Sequence, residues 1–230
     1  FEVDGQKVSV KIRNVNSGQA VDYIATQKAV PDGFAPSNML WIDMLNAKGS
    51  STEIISESLA GNVAGILLSS KTNEQIVEKY GSVDLKAITE ATEAGEFAMG
   101  YTNPFASSAG LNLLICTLER DDLNNPLSET ATDGFRKFQK NVPFVALTTM
   151  QMREAAENGS LDGFIMEYQS YANDPLLSGN YTFTPYGYRH DNPLFTIDST
   201  SPEKKEILKL FSEYCTTDKA KARATEYGFN

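Results

Sequence analysis

Apolar and polar positions along the chain follow two rhythms. In the first, residues 8–13 alternate, with Val8, Val10 and Ile12 set against Ser9, Lys11 and Arg13, a spacing that predicts a half-buried strand. Short apolar runs at 63–68, 97–101, 142–146 and 163–166 also predict strands, and a continuous run such as 63–68 suits a strand covered on both faces. Residues 52–58 form a weaker strand candidate, and those at 181–184 and 194–197 flank a loop at 185–193. In the second rhythm apolar residues return every three or four positions. It predicts helices over 19–26 (Ala20, Tyr23, Ile24), 39–45, 71–80, 85–94, 129–139 (Phe135, Phe138), 150–157, 203–215 (Ile207, Leu208, Phe211, Tyr214) and 218–227. A further helix opens at Ser107 or Ser108 and runs out near Asp121. Strands alternating with helices over short connections describe an α/β protein with mostly parallel sheets.

Where strand gives way to helix, the connecting residues are small and polar: Asn16-Ser17-Gly18, Pro36-Ser37-Asn38, Ser107-Ser108-Ala109-Gly110 and Thr148-Thr149. The stretch 97–114 is the central example. Its apolar strand is broken by Asn103-Pro104, and the serines precede the apolar run that starts at Leu111. A helix beginning carries N–H groups without intrahelical partners and the positive end of the helix dipole, so such loops can hold the oxygens of a polar ligand. In parallel α/β sheets ligands sit beyond the carboxyl ends of the strands, where these loops lie. The same residues also have structural readings. Ser17, Ser37 and Thr149 read as helix caps, Asn103-Pro104 as a strand terminator, Glu167 as a surface residue at a strand end and Tyr168 as a core ring with its hydroxyl at the rim. Trp41 shares a helix with Leu40, Met44 and Leu45 and reads as core.

Composition narrows the function classes. The 230 residues suffice for one large or two small domains, and 41% hydrophobic with 22% charged residues is ordinary for a globular chain. A formal net charge of -10 argues against nucleic acid or an anionic membrane surface as partner, so a bound anion must be held by local dipoles. No apolar run approaches the length of a membrane span. Cys116 and Cys215 lie far apart in helical patterns and read as buried free thiols, and no metal-ligand spacing is present. His190, the only histidine, follows Arg189 and precedes Asp191 in a polar loop, without a nucleophile elbow or a phosphate-binding glycine loop. The expectation is a binding protein with no catalytic residues, no metal and no cofactor.

The order of motifs resembles the type II solute-binding proteins of bacterial ABC importers, in the branch of molybdate- and sulfate-binding proteins. Asn16-Ser17-Gly18-Gln19 leading to Asp22-Tyr23-Ile24 is similar to that family's Ser-Ser-Gly loop and helix. Residues 31–38, Pro31-Asp32-Gly33-Phe34-Ala35-Pro36-Ser37-Asn38, resemble the Pro-Ala-Asp strand and Ser-Ala-Asp loop. Gly61-Asn62 with Val63-Ala64-Gly65 resembles the strand that crosses to the second lobe. Asn103-Pro104 with Ser107-Ser108-Ala109-Gly110 is similar to the Asn-Pro-x-Thr-Ser-x-Gly oxyanion loop. Asn158-Gly159 with Asp162-Gly163-Phe164-Ile165-Met166-Glu167-Tyr168 resembles the Gly-x-x-Asp-x-Gly-hydrophobic-Tyr strand, and Tyr227-Gly228-Phe229 the usual ending.

The resemblance implies a two-lobed periplasmic-binding-protein-like fold of type II, with three-layer α/β/α lobes, mixed, mostly parallel sheets and a hinge. Lobe I takes residues 1–68 plus 194–230, and lobe II takes 69–193. Ligand closure drives such a trap, because a solute touching both lobes favours the closed state. The implied ligand contacts are Asn16, Ser17, Ser37, Asn38, Asn62, Thr102, Asn103, Ser107, Ser108, Thr149, Glu167 and Tyr168. Most are neutral donors, which favours a small oxyanion such as molybdate or sulfate. Glu167 works against an anion unless Arg153 or Arg189 neutralises it, and otherwise a neutral or cationic solute fits better. The implied partner is an ABC permease, with no nucleic acid, a monomeric state, and a place in the periplasm or at the extracellular face of the membrane, secreted or anchored. The family's opening strand and helix lie before residues 8–13 and are expected to be missing from this chain. The alternative is a ligand-sensing regulatory domain of a larger protein, as in the effector domains of LysR-type regulators, with no transport role.

Overall fold

Both rhythms become elements in the computed structural model, which describes residues 2, 3 and 5–230. The chain divides into unit 1, Phe1–Ala60 with Asp191–Arg223, and unit 2, Gly61–His190 with Ala224–Asn230. Unit 1 opens on a short antiparallel hairpin of β1 (Glu2–Val3) and β2 (Gln6–Lys7). The strand expected over 8–13 is not formed: residues 8–16 have no regular structure, and Val10 and Ile12 stand 38% and 79% exposed. Among the described residues no strand pairs with this stretch. An alternating pattern becomes a strand only where a neighbour takes up its N–H and C=O groups. α1 (Ser17–Ala25), β3 (Gly33–Phe34), α2 (Leu40–Ala47) and β4 (Thr52–Ser56) follow. α1 and α2 bury Val21, Ile24, Trp41, Ile42 and Leu45, so Trp41 is a core residue.

The chain next builds unit 2: β5 (Asn62–Ser69), α3 (Ser70–Tyr80), α4 (Leu85–Glu93), β6 (Met99–Thr102), α5 (Ser108–Asp121), α6 (Glu129–Lys140), β7 (Phe144–Ala146), α7 (Thr149–Glu157), β8 (Gly163–Glu167), α8 (Tyr168–Ala172), α9 (Pro175–Asn180) and β9 (Tyr181–His190). Its sheet has the order β7-β6-β8-β5-β9. β6 runs parallel to β7 and β8, whereas β5 is antiparallel to β8 and β9. Ala64, Ile66 and Leu68 of β5 pack with Ile88, Ala109, Leu113 and Phe138 on one face, and Leu67 packs with Met152, Phe164 and Leu177 on the other. Two covered faces explain the continuous apolar runs of β5 and β8. The loop expected at 185–193 is largely strand, because β9 continues to His190. Pro185 is tolerated because β9 is the edge of the sheet. His190 is 1% exposed at the end of that strand and does not lie in an open polar loop.

The return to unit 1 supplies β10 (Leu194–Ile197), α10 (Pro202–Cys215) and the start of α11 (Asp218–Glu226), whose last turn belongs to unit 2. β10 lies between β3 and β4 and is antiparallel to both, so among the described residues parallel pairing is confined to β7-β6-β8. Such short strands cover only part of α10. Ile207, Leu208 and Phe211 are half-buried and Tyr214 remains 54% exposed. The unit boundaries differ from those expected at 68 and 194. β5 belongs to unit 2 because both its edges are hydrogen-bonded within that sheet. The last residues join unit 2 as well, since the Asn230 N–H donates to the Gly61 carbonyl at 2.9 Å and Asn173 Nδ2 donates to the Tyr227 carbonyl at 2.7 Å.

Candidate functional site

Because β6, β7 and β8 are parallel, their carboxyl ends share one edge of the unit 2 sheet. Gly100 pairs with Phe164, which sets Asn103 level with Glu167, and Ala64 pairs with Glu167, which sets Asn62 just beyond it. That edge therefore gathers Asn62, Thr102, Asn103, Glu167, Tyr168 and the openings of α5 and α7. Several of these residues are engaged in holding the edge together. Asn62 Oδ1 accepts from the N–H groups of Val63 at 2.9 Å and Gln169 at 3.2 Å, tying β5 to the start of α8. Asn103 Oδ1 accepts from the Phe105 N–H at 2.9 Å, and its carbonyl accepts from the Ala106 and Ser107 N–H groups at 3.0 and 2.9 Å. Asn103 thus ends the strand and shapes the loop. Thr102 is fully buried, and its Oγ1 donates to Ser107 Oγ at 2.9 Å.

The opening of α5 stands out in how its hydroxyls are used. Ser107 holds the N-cap position, yet its side chain makes no cap hydrogen bond; its Oγ accepts from the Thr102 hydroxyl. Ser69, Asp84, Ser128, Thr148, Asp174 and Ser201 do cap α3, α4, α6, α7, α9 and α10 through their side-chain oxygens. Side-chain caps are missing at α1, α2, α5 and the five-residue α8. The first three of these are the helices opened by Asn16-Ser17, Ser37-Asn38 and Ser107-Ser108. A helix opening presents main-chain N–H groups and the positive end of the dipole, whether or not a side chain caps it. Gly110 lets α5 lie close on β6, because a Cβ there would sit 1.9 Å from the Thr102 carbonyl oxygen.

In α7 the cap is Thr148, in a reciprocal box with Gln151, and not Thr149. The Thr149 hydroxyl instead acts on Glu167. Burial pushes the Glu167 carboxyl up from its usual range, and its own backbone N–H and Thr149 only partly oppose that push. Glu167 is half-buried at the end of β8. Neither arginine offered for its neutralisation is committed to it. Arg153 Nε pairs with Glu157 Oε1 at 2.9 Å and Asp174 Oδ2 at 2.8 Å, and Arg189 Nη2 donates to the Asn230 carbonyl at 3.1 Å. Tyr168, 42% exposed, meets Phe183 edge-on with ring centroids 5.3 Å apart.

Sequence reasoning missed Tyr186 and Asn112. Tyr186 Oη donates at 2.8 Å to the Ala109 carbonyl in the first turn of α5, and the Asn112 side chain accepts from the Tyr188 N–H at 2.9 Å and donates to its carbonyl at 2.7 Å. The signal was the polar-apolar alternation of 182–186, masked by Pro185 and Gly187. In unit 1, Ser37 donates its N–H to Ser17 Oγ at 3.2 Å, and the two hydroxyls lie 3.4 Å apart, so the loops opening α1 and α2 meet. Nearby, Asn38 Oδ1 is buried and has no hydrogen-bond partner, which suits a ligand donor. Among the described residues no group of His, Cys, Asp and Glu is arranged to hold a metal ion, and no helix is long and apolar enough to cross a membrane.

Residues 1–230 match the family model described as bacterial extracellular solute-binding protein. Among solved structures the chain is similar to a periplasmic thiamin binding protein, at 13% identity and TM-score 0.68 over 92% of this chain and 69% of that one. It is similar to the sulfate-binding protein SubI from Mycobacterium tuberculosis H37Rv, at 13% identity and TM-score 0.65 over 93% and 73% of the two chains. It is also similar to the periplasmic molybdate-binding protein of Azotobacter vinelandii, at 16% identity and TM-score 0.57 over 94% and 84%. At such identities these likenesses establish the fold alone. No curated protein matches the chain.

Proposed function

Because the chain belongs to the bacterial extracellular solute-binding proteins and has their type II periplasmic-binding-protein-like fold, we propose that it captures a small oxyanion, such as molybdate or sulfate, for an ABC permease. Capture takes place in the periplasm or at the outer face of the membrane. The observation that carries this reading is the opening of α5, with Ser107 and Ser108 only 7% and 5% exposed, no side-chain cap, and first-turn donors at the carboxyl edge of parallel strands. Neutral donors and a helix dipole can hold a dehydrated oxyanion without a formal counter-charge. That suits a chain whose net charge of -10 repels anions at long range. The structural neighbours are named for thiamin, sulfate and molybdate, so the fold leaves the solute open and the choice of an oxyanion rests on the donors.

A thermal-shift panel of molybdate, tungstate, sulfate, phosphate, amino acids, polyamines and sugars tests the reading. A solute at about 100 times its Kd adds about 2.7 kcal/mol to stability and raises Tm. An oxyanion is the expected hit, and a response confined to sugars or polyamines contradicts the choice. Ser108→Pro then probes the anchor. Proline is favoured at the first helical position, and Ser107, at φ -117° and ψ 136°, has the extended backbone that a residue before proline adopts. The variant loses a hydroxyl and an N–H at the α5 opening, and where its melting without solute matches wild type, affinity falls about tenfold or more, as for one hydrogen bond to a charged group. Unchanged affinity removes the α5 opening from the site.

A further inference from the structure

α8 follows β8 without a break, so the place of Tyr168 at the candidate edge depends on how this five-residue helix is held. It has no side-chain cap and no buried residue, and a helix of that length does not stand alone. Part of its hold is aromatic. Tyr168 and Tyr171 each lie 5.3 Å from Phe183, centroid to centroid, and the Tyr171 hydroxyl donates to the Tyr181 carbonyl at 3.0 Å. A second hold comes from residues 227–230, distant in the chain but part of the same unit. Asn173 closes α8, and its Nδ2 donates to the Gln169 carbonyl within the helix at 2.8 Å and to the Tyr227 carbonyl outside it at 2.7 Å. Gly228, at φ +80°, lies close against the helix, where a Cβ would sit 3.1 Å from Gln169 Cα.

The same segment reaches the start of β5. The Gly61 N–H donates to the Asn230 main-chain oxygen, which also accepts from Arg189 Nη2 at 3.1 Å, and the Asn230 N–H donates to the Gly61 carbonyl at 2.9 Å. β8 leaves the β5 ladder at Glu167, opposite Ala64, so Gly61 lies past the end of that pairing and is bonded to Asn230. Next to Gly61, Asn62 Oδ1 accepts from the Gln169 N–H at 3.2 Å. The bonds therefore close a circuit, from Gln169 to Asn173 and Tyr227, along the chain to Asn230, across to Gly61, and through Asn62 back to Gln169. Asn62 is a member of that circuit and Tyr168 adjoins it.

The apolar packing on the two faces of the β5 sheet draws on none of these residues. Residues 227–230 are half-buried to exposed, and a hollow of about 330 Å³ opens between them and α8, lined by Tyr168, Asn173, Glu226 and Phe229 among others. Their grip on α8 is thus polar and local, of the kind that can open while the sheet stays folded. Building on the reading of this edge as an oxyanion site, we propose that residues 227–230 are a strap that positions it, and that Asn173 is the positioning residue through which the strap acts on α8. Neither touches the solute. The strap fixes Asn62 and Tyr168 relative to each other before the solute arrives, so less free energy is lost in ordering them on capture.

Amide exchange and titration with molybdate and sulfate test this on the full chain. Asn173→Ala removes both side-chain bonds, and Gly228→Ala strains a left-handed backbone and crowds Gln169, so the two variants open the circuit from opposite partners. In each, the Gly61, Gln169 and Asn230 amides should exchange about tenfold faster while those of Ile66 and Leu68 in β5 keep their protection. Affinity for the anion that binds should fall about threefold to tenfold at an unchanged melting temperature without solute. Exchange at Gly61 and Gln169 that matches wild type in both variants overturns the strap. Faster exchange there with undiminished affinity overturns its part in capture, and loss of protection that extends to Ile66 and Leu68 shows residues that merely stabilise the unit and overturns it as well. Wild-type chain that binds neither anion overturns the oxyanion reading beneath, whereas wild-type binding that both variants retain in full leaves that reading intact and overturns this proposal alone.

Discussion

Neighbouring hydroxyls in this chain have different jobs. Thr148 closes a capping box while Thr149 turns to Glu167, and Ser107 accepts from Thr102 when its position alone would make it a cap. Residue type announces such groups in the sequence, but which one is spare depends on what the fold brings alongside. Glu167 shows the energetic side of the same point. Its folded value lies above the ordinary 4.5, so the folded chain binds that proton more tightly than the unfolded chain does. The associated stability is fully present below the ordinary value and is lost as pH rises through the folded one. In the ligand-free chain, urea denaturation of Glu167→Gln against wild type should show a difference in favour of Gln that grows as pH rises above 4.5 and then levels off. A difference independent of pH would mean that the carboxyl stays well solvated.

At the scale of elements, the meeting of α5 with β6 decides where the serines point. A Cβ on Gly110 would meet a backbone oxygen, Thr102 O at 1.9 Å, which cannot rotate away, so the helix itself must shift. Gly110→Ala is expected to cost about 1–3 kcal/mol in urea denaturation, the range for overpacking, and to weaken capture by the site beyond it. A loss of only a few tenths would show that α5 has slack against the strand. Much of the element order is legible in the sequence, because the cap at Thr148-Thr149 and the apolar runs of β5 and β8 each carry a local signal. α8 and α9 escape notice because they are short and have too few turns to show a period. β9 persists through Pro185 and Gly187 because it lies at an edge and Asn112 on α5 holds Tyr188 in place, a tertiary contact invisible to local reading. Residues 8–13 fail as a strand for the opposite reason, since a correct alternation lacks a paired neighbour.

At the scale of the whole molecule, the candidate residues fall into clusters that each unit assembles for itself: Asn16, Ser17, Ser37 and Asn38 in unit 1, and the carboxyl edge of the unit 2 sheet. Sequence order alone makes these clusters look scattered, and sheet register is what brings Asn103 level with Glu167. The family accounts for the plan of the chain, and the neutral polar groups at the α5 opening are the ground for the kind of solute proposed. The most direct test is a titration followed by amide proton and nitrogen correlation spectra, with molybdate or sulfate added to the isotope-labelled chain. The Ser108, Ala109 and Gly110 amides should shift in saturable fashion and by more than those of capped helix starts such as Ala131 and Gln151. Saturable binding of either anion that leaves the three α5 amides unmoved would contradict the account.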